Sequence, residues 1–352
     1  METYLPDATT RDEWRQLAAN EATGRRADFW RELPPLPERP ADAHKGTFGT
    51  ALAIGGSRGM PGAIALTGAA ALVAGAGLSR VAVPEAVQAT VAQFQREYTT
   101  IPCVCDSAGR FDYAALESTL EESRRATAVA VGPGMGRSEA LVRFVAELFF
   151  ELEVPALFDA DALNALAASG IFAKDGVSRF RRRVPKGPRV FTPHPGEFAR
   201  LTGVMPTGEE SNRRAVSNVW LKNYIATFYN SAFELESTAR RPATLLLKGA
   251  NTIITSLTFP KVGGHRLAQT VNRTGDANLA TGGSGDVLTG VVLGLMAQGV
   301  PVGAATRIGA AVHGIAAELR ATLVTRGALA GDVVRFLPSA FDYYTAALEA
   351  CH

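Results

Sequence analysis

Cysteine is scarce in this chain, with Cys103, Cys105 and Cys351 the only three in 352 residues. Three thiols cannot close a disulfide framework, and one Cys-x-Cys pair is too small for a zinc site. The fold must therefore stand on its own core, in a reducing compartment. An excess of charge of one sign is also missing. The formal net charge is +2, and Lys and Arg are scattered apart from the run Arg181-Arg182-Arg183, which reads as solvated surface, so nothing points to nucleic acid. The first residues, Met1-Glu2-Thr3-Tyr4-Leu5-Pro6-Asp7, form neither the basic nor the apolar part of an export signal, which predicts a cytoplasmic protein. A convincing membrane span is absent as well. Residues 59–79 carry no charge, but they are mainly Ala and Gly with Pro61 near the start, and this composition predicts a buried helix packed closely on a sheet. Finally, no Gly-x-Gly-x-x-Gly with an acidic residue about 20 positions later opens the first helix, which argues against a Rossmann dehydrogenase.

What remains is an ordinary globular composition, 47% hydrophobic and 20% charged, in a chain long enough for a substantial core. Residues 1–40 are polar, with a short helix predicted over 13–22, and end in the proline-rich Leu33-Pro34-Pro35-Leu36-Pro37-Glu38-Arg39-Pro40. They are expected to form an N-terminal arm. Residues 41–352 then show no linker and read as a single α/β domain. Short apolar runs at 50–54, 78–83, 127–131, 156–158, 189–192, 244–247 and 252–255 alternate with helical stretches such as 138–151 and 161–168. That alternation predicts a mainly parallel sheet covered by helices on both faces. The charged stretches 171–187 and 205–241 read as surface excursions, the second partly helical.

In such sheets ligands bind beyond the carboxyl ends of the strands. The residues found there form a consistent set: Gly55-Gly56-Ser57, then Gly132-Pro133-Gly134, then Asp159 and Asp161, then His194 and Glu197, then Lys248-Gly249. The most informative stretch follows later, where Thr281-Gly282-Gly283-Ser284-Gly285-Asp286 runs into a long apolar segment. A glycine-rich turn opening a helix aims unpaired N–H groups and the positive end of the helix dipole at whatever lies in front, and phosphate is the natural guest. Asp286, in the first turn, is placed to take a proton from a substrate hydroxyl as that oxygen meets a held phosphoryl group.

Each of these residues has a plainer alternative. The glycines could be a tight connection, and Asp286 could merely complement the dipole. His194, between two prolines, could cap the adjoining strand. Asp161 reads as an N-cap of the helix that follows, whereas Asp159 stays open between a structural and a cation-linked carboxylate. Glu197 either holds a metal-bound water or bonds its own turn. Lys248, at a buried strand end, calls for an anion.

Taken in order, eight segments resemble the NAD(P)H-hydrate dehydratases of the ribokinase-like superfamily. They are His44-Lys45-Gly46-Thr47-Phe48-Gly49, Gly55-Gly56-Ser57 with Met60-Pro61-Gly62-Ala63, Gly75-Ala76-Gly77-Leu78, Gly132-Pro133-Gly134, Asp159-Ala160-Asp161-Ala162-Leu163-Asn164, Thr192-Pro193-His194-Pro195-Gly196-Glu197, Leu247-Lys248-Gly249 and Thr281-Gly282-Gly283-Ser284-Gly285-Asp286-Val287-Leu288. The resemblance implies a ribokinase-like α/β fold and repair of hydrated NADH and NADPH, S epimer, with ADP or ATP as phosphoryl donor and Mg2+ as the cation. It assigns Asp286 as the base and places Ala63, Gly134 and His194 with it on the hydrated dinucleotide. Lys248, Gly249, Ala250, Asn251 and Thr252, together with Gly282, Gly283, Ser284 and Gly285, would hold the nucleotide. Asp159 and Glu197 remain the candidate metal-side carboxylates.

The resemblance also implies a homo-oligomer, a tetramer among the options. The 40-residue arm is too short for the epimerase domain fused to many members, so a separate epimerase is expected as pathway partner. One departure stands out: Gly275-Asp276-Ala277-Asn278 replaces the usual Gly-Asn-Pro-Gly. Competing readings are a superfamily kinase acting on a vitamin-precursor alcohol and a nucleotide-binding module without catalysis.

Overall fold

The computed structural model describes residues 8–172, 183–229, 241–260, 264–323 and 326–351. Arg181 and Arg182 lie outside them, as do parts of the two expected surface excursions. Among the described residues nine strands form one sheet in the order β3-β2-β1-β4-β5-β6-β7-β8-β9. They are β1 (Thr50–Ile54), β2 (Leu78–Pro84), β3 (Thr99–Cys103), β4 (Ala128–Val131), β5 (Ala156–Phe158), β6 (Arg189–Phe191), β7 (Ala243–Leu247), β8 (Ile253–Thr258) and β9 (Arg266–Val271). Every pairing through β7 is parallel, and β7-β8 and β8-β9 are antiparallel. This is the mainly parallel α/β architecture expected from the alternation of short apolar runs with helices. Two edge elements, β3 and β9, were not expected. Pro102 inside β3 and the polar alternation of β9 hide them, and both features are tolerated at the margin of a sheet.

Side chains alternate across each strand. Ala51, Ala53, Val81, Val83, Ala128 and Ala130 therefore enter one core, and Leu52, Ile54, Ala82, Val129 and Val131 the other. The first core is covered by α3 (Pro61–Val73), α10 (Ser284–Ala297), α11 (Val302–Leu323) and α12 (Ala330–Cys351). The uncharged segment is thus α3, packed on the sheet, and no described helix is long and apolar enough to cross a membrane. Small residues let α3 and α10 approach until their backbones almost touch: a Cβ on Gly290 would lie 2.3 Å from the carbonyl oxygen of Thr67.

The second core is aromatic and is covered by α6 (Glu139–Glu151), α7 (Asp161–Ser169), α8 (Pro195–Thr202) and α9 (Glu210–Phe228). Here the expected excursion over 205–241 is corrected. Arg213, Ser217, Trp220, Leu221, Tyr224 and Phe228 recur at helical spacing on one buried face of α9, so α9 is part of the core despite its charged outer face, while 230–240 lie outside the described residues.

The N-terminal residues pack on the first core. Trp14, Ala18 and Ala22 of α1 (Ala8–Thr23) and Trp30 of α2 (Ala27–Arg31) are buried, with Trp30 edge-on to Tyr344. Arg26 holds Glu318 of α11 through two hydrogen bonds of 3.1 and 2.9 Å.

Candidate active site

Strand order reverses between β1 and β4, so a crevice opens beyond their carboxyl ends. The amide of Gly56, after β1, donates to the carbonyl of Pro133, after β4, at 2.8 Å, and the two glycine turns form one floor. A Cβ on Gly134 would stand 3.0 Å from the Cβ of Ala63 at the start of α3, so these two expected substrate residues are neighbours.

The phosphate-cradle turn arrives from β9. Asn272 donates to the carbonyls of Thr274 and Ala310 (3.0 and 3.3 Å), and Thr274 donates to that of Ala311 (2.9 Å), anchoring the segment on α11. The departure at 276–278 then becomes intelligible. Asp276 caps a single short turn, its carboxylate accepting from the amide of Asn278 at 2.8 Å and from the Asn278 side chain at 2.6 Å. Gly283, at φ 88°, supplies the left-handed residue that lets the chain enter α10 with no side chain over the helix end. The Ser284 amide donates to the Thr281 carbonyl at 3.4 Å, whereas the first-turn amides of Gly285 and Asp286 are those an α-helix leaves without partners of its own. Ser284 pairs with His313 of α11 at 3.3 Å, and burial pushes His313 down to about 4, leaving its ring neutral.

Asp286 lies inside a cluster of charges. Lys248, at the end of β7, bonds Asp159, at the end of β5, at 2.6 Å, and Thr289 of α10 donates to the other Asp159 oxygen at 2.7 Å. Burial alone would lower the Lys248 pKa, but Asp159, Glu197 and Asp286 outweigh it and hold the proton on the ammonium. Burial and the nearby Asp159 charge, opposed by Lys248, push Asp286 up to about 7. Burial likewise raises Glu197. A carboxylate that exchanges its proton near neutrality, beside a fixed cation and a helix N-terminus, is equipped to act as a base. Thr67 of α3 donates to the backbone carbonyls of both Ala63 (3.2 Å) and Asp286 (3.0 Å), tying the expected substrate floor to the base.

The segment from Lys248 to Thr252 loops over the end of β7 with Gly249 at φ 145° and Asn251 at φ 55°. Arg213 of α9 holds it, donating to the carbonyls of Leu247, Lys248, Ala250 and Asn251 at 2.7, 2.9, 2.5 and 3.3 Å. Sequence reasoning missed Arg213 entirely. Its only signal is the helical spacing that puts it on the buried face of α9.

The remaining candidates are sorted by their contacts. His194 is the N-cap of α8 rather than of a strand: its Nδ1 accepts from the amides of Gly196 and Glu197 at 3.0 and 3.4 Å, while Glu197 accepts from the His194 amide at 2.9 Å. Its side chain is 51% exposed, so Nε2 remains at the edge of the crevice. Asp159 gives one oxygen to Lys248 and the other to Thr289, which fixes its carboxylate between β7 and α10. Asp161 is corrected: the N-cap of α7 is Ala160, at φ 50°, and Asp161 instead accepts from the Gly136 amide at 2.8 Å, bracing the turn after β4. No group of three His, Cys, Asp or Glu among the described residues forms a cation cage. Glu197 keeps a carboxylate oxygen, Oε1, that faces the His194 ring at 3.4 Å.

Comparison with known proteins identifies the family. The sequence model of the NAD(P)H-hydrate dehydratase family matches residues 51–339. The ADP-dependent (S)-NAD(P)H-hydrate dehydratase of Bacillus subtilis is 33% identical over 302 residues, covering 83% of this chain and 89% of that protein. The bifunctional NAD(P)H-hydrate repair enzyme of Moorella thermoacetica is 39% identical over 305 residues, 86% of this chain and 51% of that protein. The chain thus spans about half the length of the bifunctional relatives it matches. The crystal structure of the Bacillus subtilis ADP/ATP-dependent NAD(P)H-hydrate dehydratase, co-crystallised with ATP and Mg2+, superposes with a TM-score of 0.63 at 30% identity, covering 88% of this chain and 94% of that one. A ribokinase-like superfamily protein from Enterococcus faecalis, at 20% identity and a TM-score of 0.64 over 91% of this chain and 95% of that one, supports the fold alone. With the family match spanning most of the chain and a third of the aligned residues shared with a dehydratase of similar length, this chain belongs to the NAD(P)H-hydrate dehydratase family.

Proposed function

We propose that this protein returns the S epimer of hydrated NADH and NADPH to NAD(P)H, with ADP or ATP as phosphoryl donor. The observation that carries the reading is Asp286: a carboxyl group pushed up to about 7, in the first turn of a glycine-led helix, beside the paired Lys248 ammonium. Hydroxide is a poor leaving group and phosphate a good one, so the dehydration is a concealed phosphotransfer. Asp286 takes the proton from the C6 hydroxyl as that oxygen attacks the terminal phosphorus, and the bond to the departing nucleotide breaks. The ring nitrogen then expels phosphate from C6 while C5 loses a proton, which restores the ring double bond.

Gly282, Gly283, Ser284 and Gly285 present amides to the transferred group, with Lys248 as counter-charge and the loop Gly249, Ala250, Asn251 and Thr252 along the nucleotide. Ala63, Gly134 and His194 line the side facing the hydrated dinucleotide. The residues present fit a Mg2+ that travels on the nucleotide phosphates, with Glu197 as the carboxylate able to hold one of its waters. Bound there, the ion would offset the negative charge of the phosphates.

Residues 41–352 carry this chemistry, with the helices before residue 40 packed on their first core rather than standing off as an arm, and we place the enzyme as a homo-oligomer in the cytoplasm, where unpaired cysteines are at home. An epimerase supplying the S epimer is the pathway partner. Incubation with hydrated NADH plus ADP or ATP tests the proposal. Recovery of the reduced-nicotinamide absorbance is expected. Consumption of nucleotide that leaves a lasting phosphate ester on an alcohol substrate, with no absorbance regained, would instead identify a superfamily kinase.

A further inference from the structure

A dinucleotide that reacts only at its nicotinamide end must lay its second phosphate and its adenosine somewhere beyond the reacting ring. On one side of Asp286 the rim is already committed to the donor nucleotide, through the first turn of α10 and the Lys248 loop. On the other side the floor at Gly134 continues within two residues into a groove of about 770 Å³, between the N-terminus of α6 and the outer faces of α7 and α8. That volume lies within the usual range of small-molecule sites, roughly 300 to 1,000 Å³.

The groove is joined to the site by a chain of hydrogen bonds. Arg200, on the helix that His194 caps, donates to Asn164 at 3.0 Å, Asn164 donates to Asp161 at 3.3 Å, and Asp161 accepts from the Gly136 amide at 2.8 Å. Asp161 is close enough to Asp286 for its charge to help raise the proton affinity of the base. Arg137 lines the same groove with an exposed side chain, and its backbone is fixed by Arg110, which donates to the Arg137 carbonyl at 2.6 Å and bonds Asp106 at 2.9 Å. Two carboxylates also border the groove. Asp161 is spent on the N–H donors just named, and Glu139 sits in the first turn of α6. Two arginines lining one cleft beside a braced turn are suited to phosphate, which arginine recognises through paired N–H donors.

We infer that this groove seats the adenylate half of the dinucleotide substrate, with Arg137 and Arg200 on its phosphates. The assignment rests on the dehydratase reading above and adds where the unreacting end of the substrate is held. Binding energy gathered there is available to the reaction at the other end, which makes it visible in kcat/KM.

The test compares hydrated NADH and hydrated NADPH with hydrated reduced nicotinamide mononucleotide, which lacks the adenylate half, in wild type, Arg137→Gln, Arg200→Gln and Arg200→Lys. Wild type is expected to prefer the dinucleotides. That preference, as a ratio of kcat/KM values, should fall about tenfold or more in a Gln variant that loses a charged hydrogen bond, and recover in part in Arg200→Lys. A ratio cancels general damage to the fold, which would lower all three substrates together. A larger fall on hydrated NADPH marks its extra phosphate as the partner, and equal falls mark the bridging pyrophosphate. A wild type without dinucleotide preference, or an unchanged ratio in both Gln variants, overturns the assignment. Failure of wild type on all three hydrates overturns the dehydratase reading instead, and this inference with it.

Discussion

The two faces of the sheet solve the same problem in opposite ways. One is filled by bulk: Phe149 alone touches the rings of Phe150, Phe158, Phe172, Phe191 and Phe228, and the buried Arg189 threads between them to bond the carbonyls of Phe149 and Leu152 at the end of α6. The other is filled by proximity, with alanine and glycine bringing α3 and α10 almost into backbone contact. Asp286 rides on the second face. A helix pair whose backbones touch has little room to move, and a side chain in the first turn of such a helix is held to a position. The comparison teaches that both faces bury a core, while the close approach of α3 and α10 fixes the position of Asp286.

Three substitutions test this division. Asp286→Asn should have the largest effect, lowering kcat about a thousandfold through loss of the base, or ~4 kcal/mol of barrier, measured as NAD(P)H recovery. It should not destabilise. Because folding raises the Asp286 pKa from 3.8 to about 7, the folded chain binds that proton more tightly than the unfolded one, so this group favours folding at acid pH and loses that contribution as pH rises from about 4 to 7. The Asn variant should therefore have a higher Tm than wild type at pH 8, with the advantage shrinking toward pH 4. In wild type the rate should fall about tenfold per pH unit below 7, as the base becomes protonated. A wild-type rate that stays flat from pH 8 to 5 would remove Asp286 from the mechanism.

On the aromatic face, Phe149→Ala should cost about 3 kcal/mol or more of stability by denaturant unfolding while leaving kcat per folded molecule near that of wild type. The smallest change in atoms, Gly290→Ala, places a methyl group 2.3 Å from the Thr67 carbonyl and 2.6 Å from the Ala70 Cβ. It should cost about 2 kcal/mol and, unlike the aromatic substitution, lower kcat as α10 is pushed off α3. Equal kinetic sensitivity of the two faces would break the comparison.

Much of this was legible in the sequence, for identifiable reasons. The strands β1, β2, β4, β5, β6 and β7 are apolar runs bounded by glycine or proline, and the residues just past them are the ones that converge on the crevice. β3 was hidden by Pro102 and α9 by its charges, whose spacing mattered more than their number. The Lys248–Asp159 pair joins residues 89 positions apart, and no local pattern announces it. The same holds for Arg213, whose task of gripping four carbonyls exists only once β7 and β8 have met. Asp161 was misplaced because an acidic residue at a helix start resembles a cap, whereas its oxygen in fact reaches across to a different turn.

One small contact reaches further than its size suggests. The amide of Gly275, leading into the phosphate-cradle turn, donates to Glu318 at 2.9 Å, and the same carboxylate is gripped by Arg26 near the start of the chain. The first helices are thereby moored to the approach of the glycine-rich turn that opens α10. Whatever lifts that mooring, a protease cut or a competing surface, will be felt as slack at the entry to α10 before the central sheet registers any loss of order.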